Sequence, residues 1–67
     1  MAEAVRNSVY EARTGAGLTQ EALAGRVGVS RQTILAIEKG NYAPSVTLAL
    51  KLAKVLKSPV ESLFKLP

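Results

Sequence analysis

The sequence of 67 residues contains no cysteine, no histidine and no tryptophan. Without cysteine there is no disulfide and no thiol nucleophile, and without histidine there is neither an imidazole base nor an ordinary zinc site. Only five carboxylates are present. They are scattered along the chain and are too few to indicate a catalytic dyad or a calcium loop. We therefore expect a protein that is not an enzyme and that holds no metal ion and no cofactor.

Long apolar runs are also absent. No stretch approaches the ~20 residues of a membrane span, and the N-terminus shows no signal peptide, so we expect a cytoplasmic protein. The apolar fraction of 48% is typical of a folded globule, and the length allows one domain over residues 1–67. The net charge of +4 indicates an acidic partner, with nucleic acid the first expectation and a membrane surface the second.

Turn and capping residues divide the chain into five short segments, most of them with helical periodicity. Thr19, Ser30 and Ser45 predict the N-caps of the second, third and fourth helices, and Ser8 with Glu11 has the spacing of a capping box. The first four predicted helices extend over about Val9–Thr14, Gln20–Val27, Arg31–Lys39 and Val46–Leu56.

A fifth, shorter helix is predicted to carry Val60, Leu63 and Phe64. Its start signal is Ser58 as the cap, Pro59 at the first helical position and Glu61 as the capping-box acid. Ahead of the first helix, residues Ala2–Arg6 could form a short strand or an extended arm. The sequence therefore predicts an all-α fold, a compact bundle of five short helices with possible short terminal strands.

The most informative segment is Gln20–Gly40, in which two short helices are joined by the three-residue turn Gly28–Ser30. Such a turn containing glycine is the helix-turn-helix signature. Ala24 is small, which leaves room for the second helix to cross close to the first. The apolar side chains expected in the angle between the two helices are Val29, Ile34 and Ile37.

The outward face of the third helix carries no acidic residue at its centre. At 100° per residue, one arc of about 140° holds Arg31, Gln32, Leu35, Ala36 and Lys39. Arginine can pair with guanine edges, glutamine with adenine edges, and apolar side chains can contact thymine methyl groups. Arg31 and Gln32 are the main candidates for reading bases, because recognition helices use their N-terminal residues. Both could also be ordinary solvated side chains.

Several segments together closely resemble the Cro/phage-repressor type of helix-turn-helix domain, the XRE family. They are Gln20–Ala24, Val29–Ile34, Ile37–Gly40 and Pro44–Ser45, with Leu48 and Ala53. The resemblance covers roughly Val9–Phe64 and is to the small stand-alone bacterial regulators of that family. It implies a lambda-repressor-like fold and a transcriptional regulator, with repression the favoured role, that binds double-stranded DNA sequence-specifically.

The family's pattern implies roles for individual positions. The base-reading positions are matched by Arg31, Gln32 and Ala36, with Thr33 beside them. The positions that contact phosphate are matched by Gln20, Ser30, Lys39 and Asn41. Arg13 and Glu38 match a pair that forms an internal salt bridge between the first helix and the recognition helix. Leu35 departs from the pattern, because many members carry a polar residue there, and its role is either base contact or simple exposure.

A homodimer is expected, because one recognition helix offers few base contacts and two-fold dimers read two half-sites. The candidate interface residues are Leu50, Val60, Leu63 and Phe64. The last three are core residues by default, and Leu50 could equally be an isolated exposed leucine.

A second class of function is a protein-interaction module built on the same fold, such as the antitoxin of a toxin–antitoxin pair. An antitoxin or a restriction-system controller would look the same from sequence. The acid-free face from Arg31 to Lys39 favours DNA as the partner.

Overall fold

Five short helices and a two-stranded sheet make up the computed structural model, which describes residues 5–67. In chain order the elements are β1 (Arg6–Asn7), α1 (Val9–Gly15), α2 (Gln20–Val27), α3 (Arg31–Glu38), α4 (Val46–Leu56), α5 (Val60–Leu63) and β2 (Phe64–Lys65). The predicted helical bundle is confirmed, and the first four helices begin and end within one residue of the predicted bounds. Within the described part of the chain, no helix is long and apolar enough to span a bilayer.

The core is formed by one apolar stripe from each helix. α2 packs against α3 and α4, α1 contacts α3, and α5 contacts α4. Full burial of a large aliphatic side chain stabilises a fold by about 1.5–3 kcal/mol. The buried apolar residues are Val9, Leu23, Ala24, Val27, Ile34, Ile37, Leu48, Ala49, Leu52, Leu56 and Leu63.

Three of the predicted N-caps are confirmed. The hydroxyl oxygens of Thr19, Ser30 and Ser45 accept hydrogen bonds from the third backbone amide of their helices, at 3.0, 3.2 and 3.1 Å. All three residues have extended backbone conformations, which an N-cap requires. Each bond satisfies an amide that has no partner within its helix, and loss of such a cap costs about 1 kcal/mol.

The capping box predicted for α1 is wrong. The Ser8 side chain makes no capping hydrogen bond, and its backbone (φ −118°, ψ 27°) is not extended. The Val9 amide donates instead to Asn7 Oδ1 at 3.2 Å, and Asn7 Nδ2 donates to the Ile37 carbonyl at 2.7 Å. The Ser8 amide donates to the Leu63 carbonyl at 2.8 Å. These contacts to distant residues fix the start of α1, and asparagine supplies the local bond two residues ahead.

The start signal predicted for the fifth helix is also wrong. The Ser58 hydroxyl donates to the Leu56 carbonyl at 3.2 Å rather than capping α5. Pro59 takes the N-cap position itself, one residue before the position predicted for it, and no side chain caps this helix. The Ser58 side chain therefore bonds back to the last residue of α4 instead of capping α5.

The end of α5 differs from the prediction because a strand begins there. Phe64 belongs to β2 and pairs with Asn7, while Arg6 pairs with Lys65, in an antiparallel ladder. A backbone in this ladder is extended and cannot continue the helix. Of the predicted N-terminal strand or arm, only Arg6 lies in a strand, and Ala2–Ala4 lie outside the described residues.

The residue that ends α4 has an unusual conformation. Lys57 has φ 53° and ψ 43°, in the left-handed region, where helices commonly end on glycine. In the turn between α2 and α3 the same conformation is taken by Gly28, with φ 76°. A side chain in this region costs about 1–2 kcal/mol, so Lys57 carries a penalty that Gly28 avoids.

Candidate nucleic-acid interface

The pair of helices α2 and α3 forms the frame of the site. Leu23, Ala24 and Val27 on α2 face the same core as Ile34 and Ile37 on α3, and all five are buried. These two helices share the most extensive packing between any two described elements. The buried contact fixes the angle at which α3 crosses α2 and therefore the direction of its outward face.

The first two residues of α3 lie at the surface. Arg31 and Gln32 are exposed, whereas Thr33, Leu35 and Ala36 are half-buried. The Thr33 hydroxyl lies 3.1 Å from the Ser30 hydroxyl, so this pair is already hydrogen-bonded across the helix start. The first turn of α3 holds no acidic residue. The strongest hydrogen-bonding groups on this face are therefore one guanidinium and one amide at the N-terminal end.

Beside this end of α3 lies a shallow depression of about 490 Å³. It is lined by Arg13, Thr19, Gln20, Glu21 and Arg31. The depression places the start of α2 next to the start of α3, so the candidate phosphate ligand Gln20 and the candidate base reader Arg31 share one surface.

A buried ion pair connects α1 to α3, as the family's pattern implied. The Arg13 Nε and Nη2 atoms donate to the two Glu38 carboxylate oxygens at 2.6 and 3.2 Å, and Nη1 donates to the Leu18 carbonyl at 2.9 Å. The side chains are only 9% and 6% exposed. The hydrogen bond to Glu38 raises the pKa of Arg13 above its ordinary value, so the guanidinium stays charged. Its charge also lies 5.2 Å from the centre of the Tyr10 ring.

The same carboxylate orients Gln20. Gln20 Nε2 donates to Glu38 Oε1 at 3.1 Å. A carboxylate can only accept, so the amide must present an N–H to it, and its second N–H remains available to another acceptor. The side chain of Gln20 is therefore held in place before any ligand arrives. Sequence reasoning missed this contact, since 18 positions separate the two residues.

The other end of α3 carries the second group of candidate phosphate ligands. Lys39 and Asn41 are both exposed. The backbone amides of Lys39 and Asn41 donate to the Leu35 and Ala36 carbonyls at 3.1 and 2.9 Å, which ties the loop to the helix end. With eight residues α3 is about 12 Å long, so the two groups of candidate phosphate ligands are separated by roughly that distance.

The candidate dimer residues do not share one environment. Leu63 is 1% exposed and belongs to the core, so it offers no surface to a partner, and this part of the prediction is wrong. Val60 and Phe64 are half-buried, and Leu50 is 57% exposed. Val46, one helical turn before Leu50, is 77% exposed, and sequence reasoning missed it.

The fold and this site define a class of protein. Two crossing helices joined by a short turn, with a polar, acid-free helix start facing outward, are the helix-turn-helix unit of DNA-binding proteins. The chain matches the family model described as "Helix-turn-helix" over residues 9–63. This chain therefore belongs to the helix-turn-helix family of DNA-binding transcriptional regulators, of the Cro/phage-repressor (XRE) type, and the resemblance in its sequence is confirmed.

Individual relatives agree with this assignment. An uncharacterized HTH-type transcriptional regulator of Methanothermobacter thermautotrophicus is 51% identical over 61 residues, which cover 90% of this chain and 88% of the relative. The uncharacterized HTH-type transcriptional regulator YgzD of Bacillus subtilis is 48% identical over 60 residues, covering 90% and 91%. Among solved structures, the restriction-modification controller protein C.AhdI from Aeromonas hydrophila is similar with a TM-score of 0.76 and 38% identity, over 84% of this chain and 81% of that one.

Proposed function

We propose that this regulator is a homodimeric repressor that reads a two-fold symmetric site on double-stranded DNA with α3 in the major groove. The observation that carries the proposal is the exposed, acid-free start of α3, Arg31 and Gln32, with candidate phosphate ligands near both helix ends. Duplex DNA as the partner agrees with the expected cytoplasmic location and with a function that is not enzymatic.

Base reading is assigned to the outward face of α3. Arg31 can form a bidentate pair with a guanine edge, and Gln32 can do so with an adenine edge. Leu35 and Ala36 are half-buried, so they reach only groups that approach closely, such as a thymine methyl. Thr33, bonded to Ser30, supports the helix start and adds a hydroxyl beside the bases.

Affinity is assigned mainly to contacts with phosphates. At the start of α2, the second N–H of Gln20 and the first backbone amides of the helix can donate to a phosphate oxygen. The Ser30 hydroxyl, Lys39 and Asn41 supply further contacts near the two ends of α3. Such contacts seat the protein on the duplex and carry no sequence information by themselves.

A homodimer doubles the small number of base contacts that one eight-residue helix can make. Two recognition helices related by two-fold symmetry would lie about 34 Å apart, one turn of DNA. Of the candidate interface residues, Leu50, Val60 and Phe64 remain, and Leu50 is the most exposed of the three.

The experiment that tests this function is selection from a random duplex library with the purified protein at about 150 mM salt. We expect enrichment of a palindrome whose half-sites are about ten base pairs apart. A single asymmetric half-site would contradict the dimer while keeping DNA reading. Enrichment of nothing, with binding that vanishes as salt rises, would contradict sequence-specific recognition and favour the protein-interaction module.

Replacement of Gln20 by alanine is expected to weaken binding to all duplex sequences alike, by about 0.5–1.5 kcal/mol, because it removes one hydrogen bond to a phosphate. The measurement is fluorescence anisotropy on the selected site and on an unrelated duplex. Glu38 keeps both bonds to Arg13 in this variant, so the melting temperature should change little. A loss confined to the selected site would instead assign Gln20 to base reading.

A further inference from the structure

A groove with four cationic side chains runs between the carboxyl ends of α2 and α4. Its volume is about 630 Å³. The residues that line it, which we call the basic groove, are Gly25, Arg26, Val27, Gly28, Lys51, Lys54, Val55 and Lys57. Arg26 and the three lysines are exposed, whereas Val27 is buried and Val55 is half-buried. The groove therefore has cationic edges and an apolar floor.

The basic groove accounts for the whole excess charge of the chain. It holds four of the nine lysine and arginine residues and none of the five acidic ones. The remaining five cations and five acids balance, which leaves the net charge of +4 in this groove. Within residues 5–67 the one ion pair is Arg13–Glu38, so no carboxylate of this part of the chain neutralises the groove.

Stabilisation of the helix ends accounts for some of the four cations of the basic groove. Arg26 and Lys54 lie in the last turns of α2 and α4, where cations interact favourably with the negative end of a helix dipole. Lys51 lies a turn further from that end. Lys57 occupies a left-handed position that glycine would fill with less strain, since its φ is 53°. The convergence of all four cations on one concavity needs a further reason.

The basic groove is separate from the proposed DNA interface. None of the residues assigned to bases or phosphates lines it. The depression beside Gln20 and Arg31 is at the opposite end of α2, which is eight residues or about 12 Å long. The groove residue Gly28 lies two positions before the phosphate candidate Ser30, so the two sites are neighbours that share no residue.

We propose that the basic groove binds an acidic segment of a partner protein. The charge is complementary to glutamate- or aspartate-rich chain, and the apolar floor at Val27 and Val55 can receive an aliphatic side chain between the acids. A DNA duplex is a poorer fit, because it is a rigid convex cylinder whose backbone presents phosphates but no aliphatic side chain. The inference goes beyond DNA binding and does not depend on it.

The test is an NMR titration of the intact chain with a short glutamate- and leucine-rich peptide at about 150 mM salt. The same peptide with glutamine in place of glutamate is the control ligand. We expect shifts of backbone amides near Arg26 and from Lys51 to Lys57, and none with the glutamine peptide. Shifts centred on Arg31 or Lys39, or no shifts at all, would overturn the proposal.

One substitution and a matched control distinguish binding in the groove from a general effect of charge. Lys54→Glu is expected to weaken binding of the peptide by about tenfold. Lys65→Glu makes an equal charge change at an exposed residue of β2 and should change the affinity by no more than about twofold. Equal losses in both variants would overturn the proposal. So would a larger effect of Lys54→Glu on an unrelated duplex than on the peptide, because the groove would then bind DNA.

The variant Lys57→Gly tests whether loss of folding could explain weaker binding of the peptide. Glycine adopts the left-handed conformation without the strain that a side chain adds, so the melting temperature should not fall. Removal of one cation should weaken binding of the peptide several-fold. Unchanged peptide affinity in this folded variant would remove Lys57 from the site and contradict a groove formed by all four cations.

Discussion

Replacement of Arg13 by alanine is expected to destabilise this protein by about 3–5 kcal/mol, the cost of breaking one side of a buried ion pair. The variant leaves the Glu38 carboxylate, whose side chain is only 6% exposed, without its bidentate partner and leaves the Leu18 carbonyl without a donor. In a domain of this size, a loss of 1 kcal/mol in the free energy of unfolding lowers the melting temperature by about 4–8 °C. The melting temperature should therefore fall by at least about 12 °C. Circular dichroism during thermal unfolding measures the change.

Two further variants identify the cause. Glu11→Ala removes an exposed acid from the same helix and should change the stability by no more than about 0.5 kcal/mol. The double variant Arg13→Met with Glu38→Leu removes both buried charges and should recover much of the loss, because well-packed apolar residues can replace a buried pair. An unchanged melting temperature for Arg13→Ala would show that the pair contributes nothing to stability.

Replacement of Arg31 by alanine is expected to cost about 1–3 kcal/mol of affinity for the selected DNA site, or roughly 5- to 150-fold. The guanidinium is exposed at the start of α3, and the proposed docking in the major groove would bring its donors to both acceptors of a guanine. Specificity should relax at one base pair of each half-site and stay unchanged elsewhere. Anisotropy measurements with duplexes that vary at each position give both quantities.

A comparison with Lys39, a candidate phosphate ligand, makes this result decisive. Lys39→Ala should weaken all sequences to a similar extent and lower the slope of affinity against salt by about one unit. Both residues are exposed, so neither variant should alter the melting temperature appreciably. If Arg31→Ala also weakened binding to every sequence equally, Arg31 would contact the DNA backbone. Base reading would then be assigned to the other residues of α3.

Features that depend on neighbouring residues could be predicted from the sequence. The caps at Thr19, Ser30 and Ser45 form as expected, because each hydroxyl reaches an amide three residues along the same chain. The same three-residue reach does not explain Ser8 and Ser58. Ser8 lies next to a strand pair, and Ser58 bonds back to the end of α4, so longer-range or competing contacts decide their roles.

The sequence predicts the residue types of the candidate site but not all of the contacts between them. Spacing alone places Arg31 and Gln32 on the outward face of α3. It does not reveal that Glu38 holds Gln20 and Arg13 at once, because these three residues come from separate helices. Nor does it bring Arg26 to the lysines of α4, since that proximity arises only when α2 packs on α4.

By itself, the sequence determined the helical bundle, the helix-turn-helix and the polar character of the outward face of α3. These follow from hydrophobic periodicity and from hydrogen bonds within a few residues of chain. The tertiary structure decided the rest: the Asn7 cap, the strand at Phe64, the place of Leu63 in the core and the basic groove. Each of these depends on which distant segments pack together, and burial of the common core selects that packing.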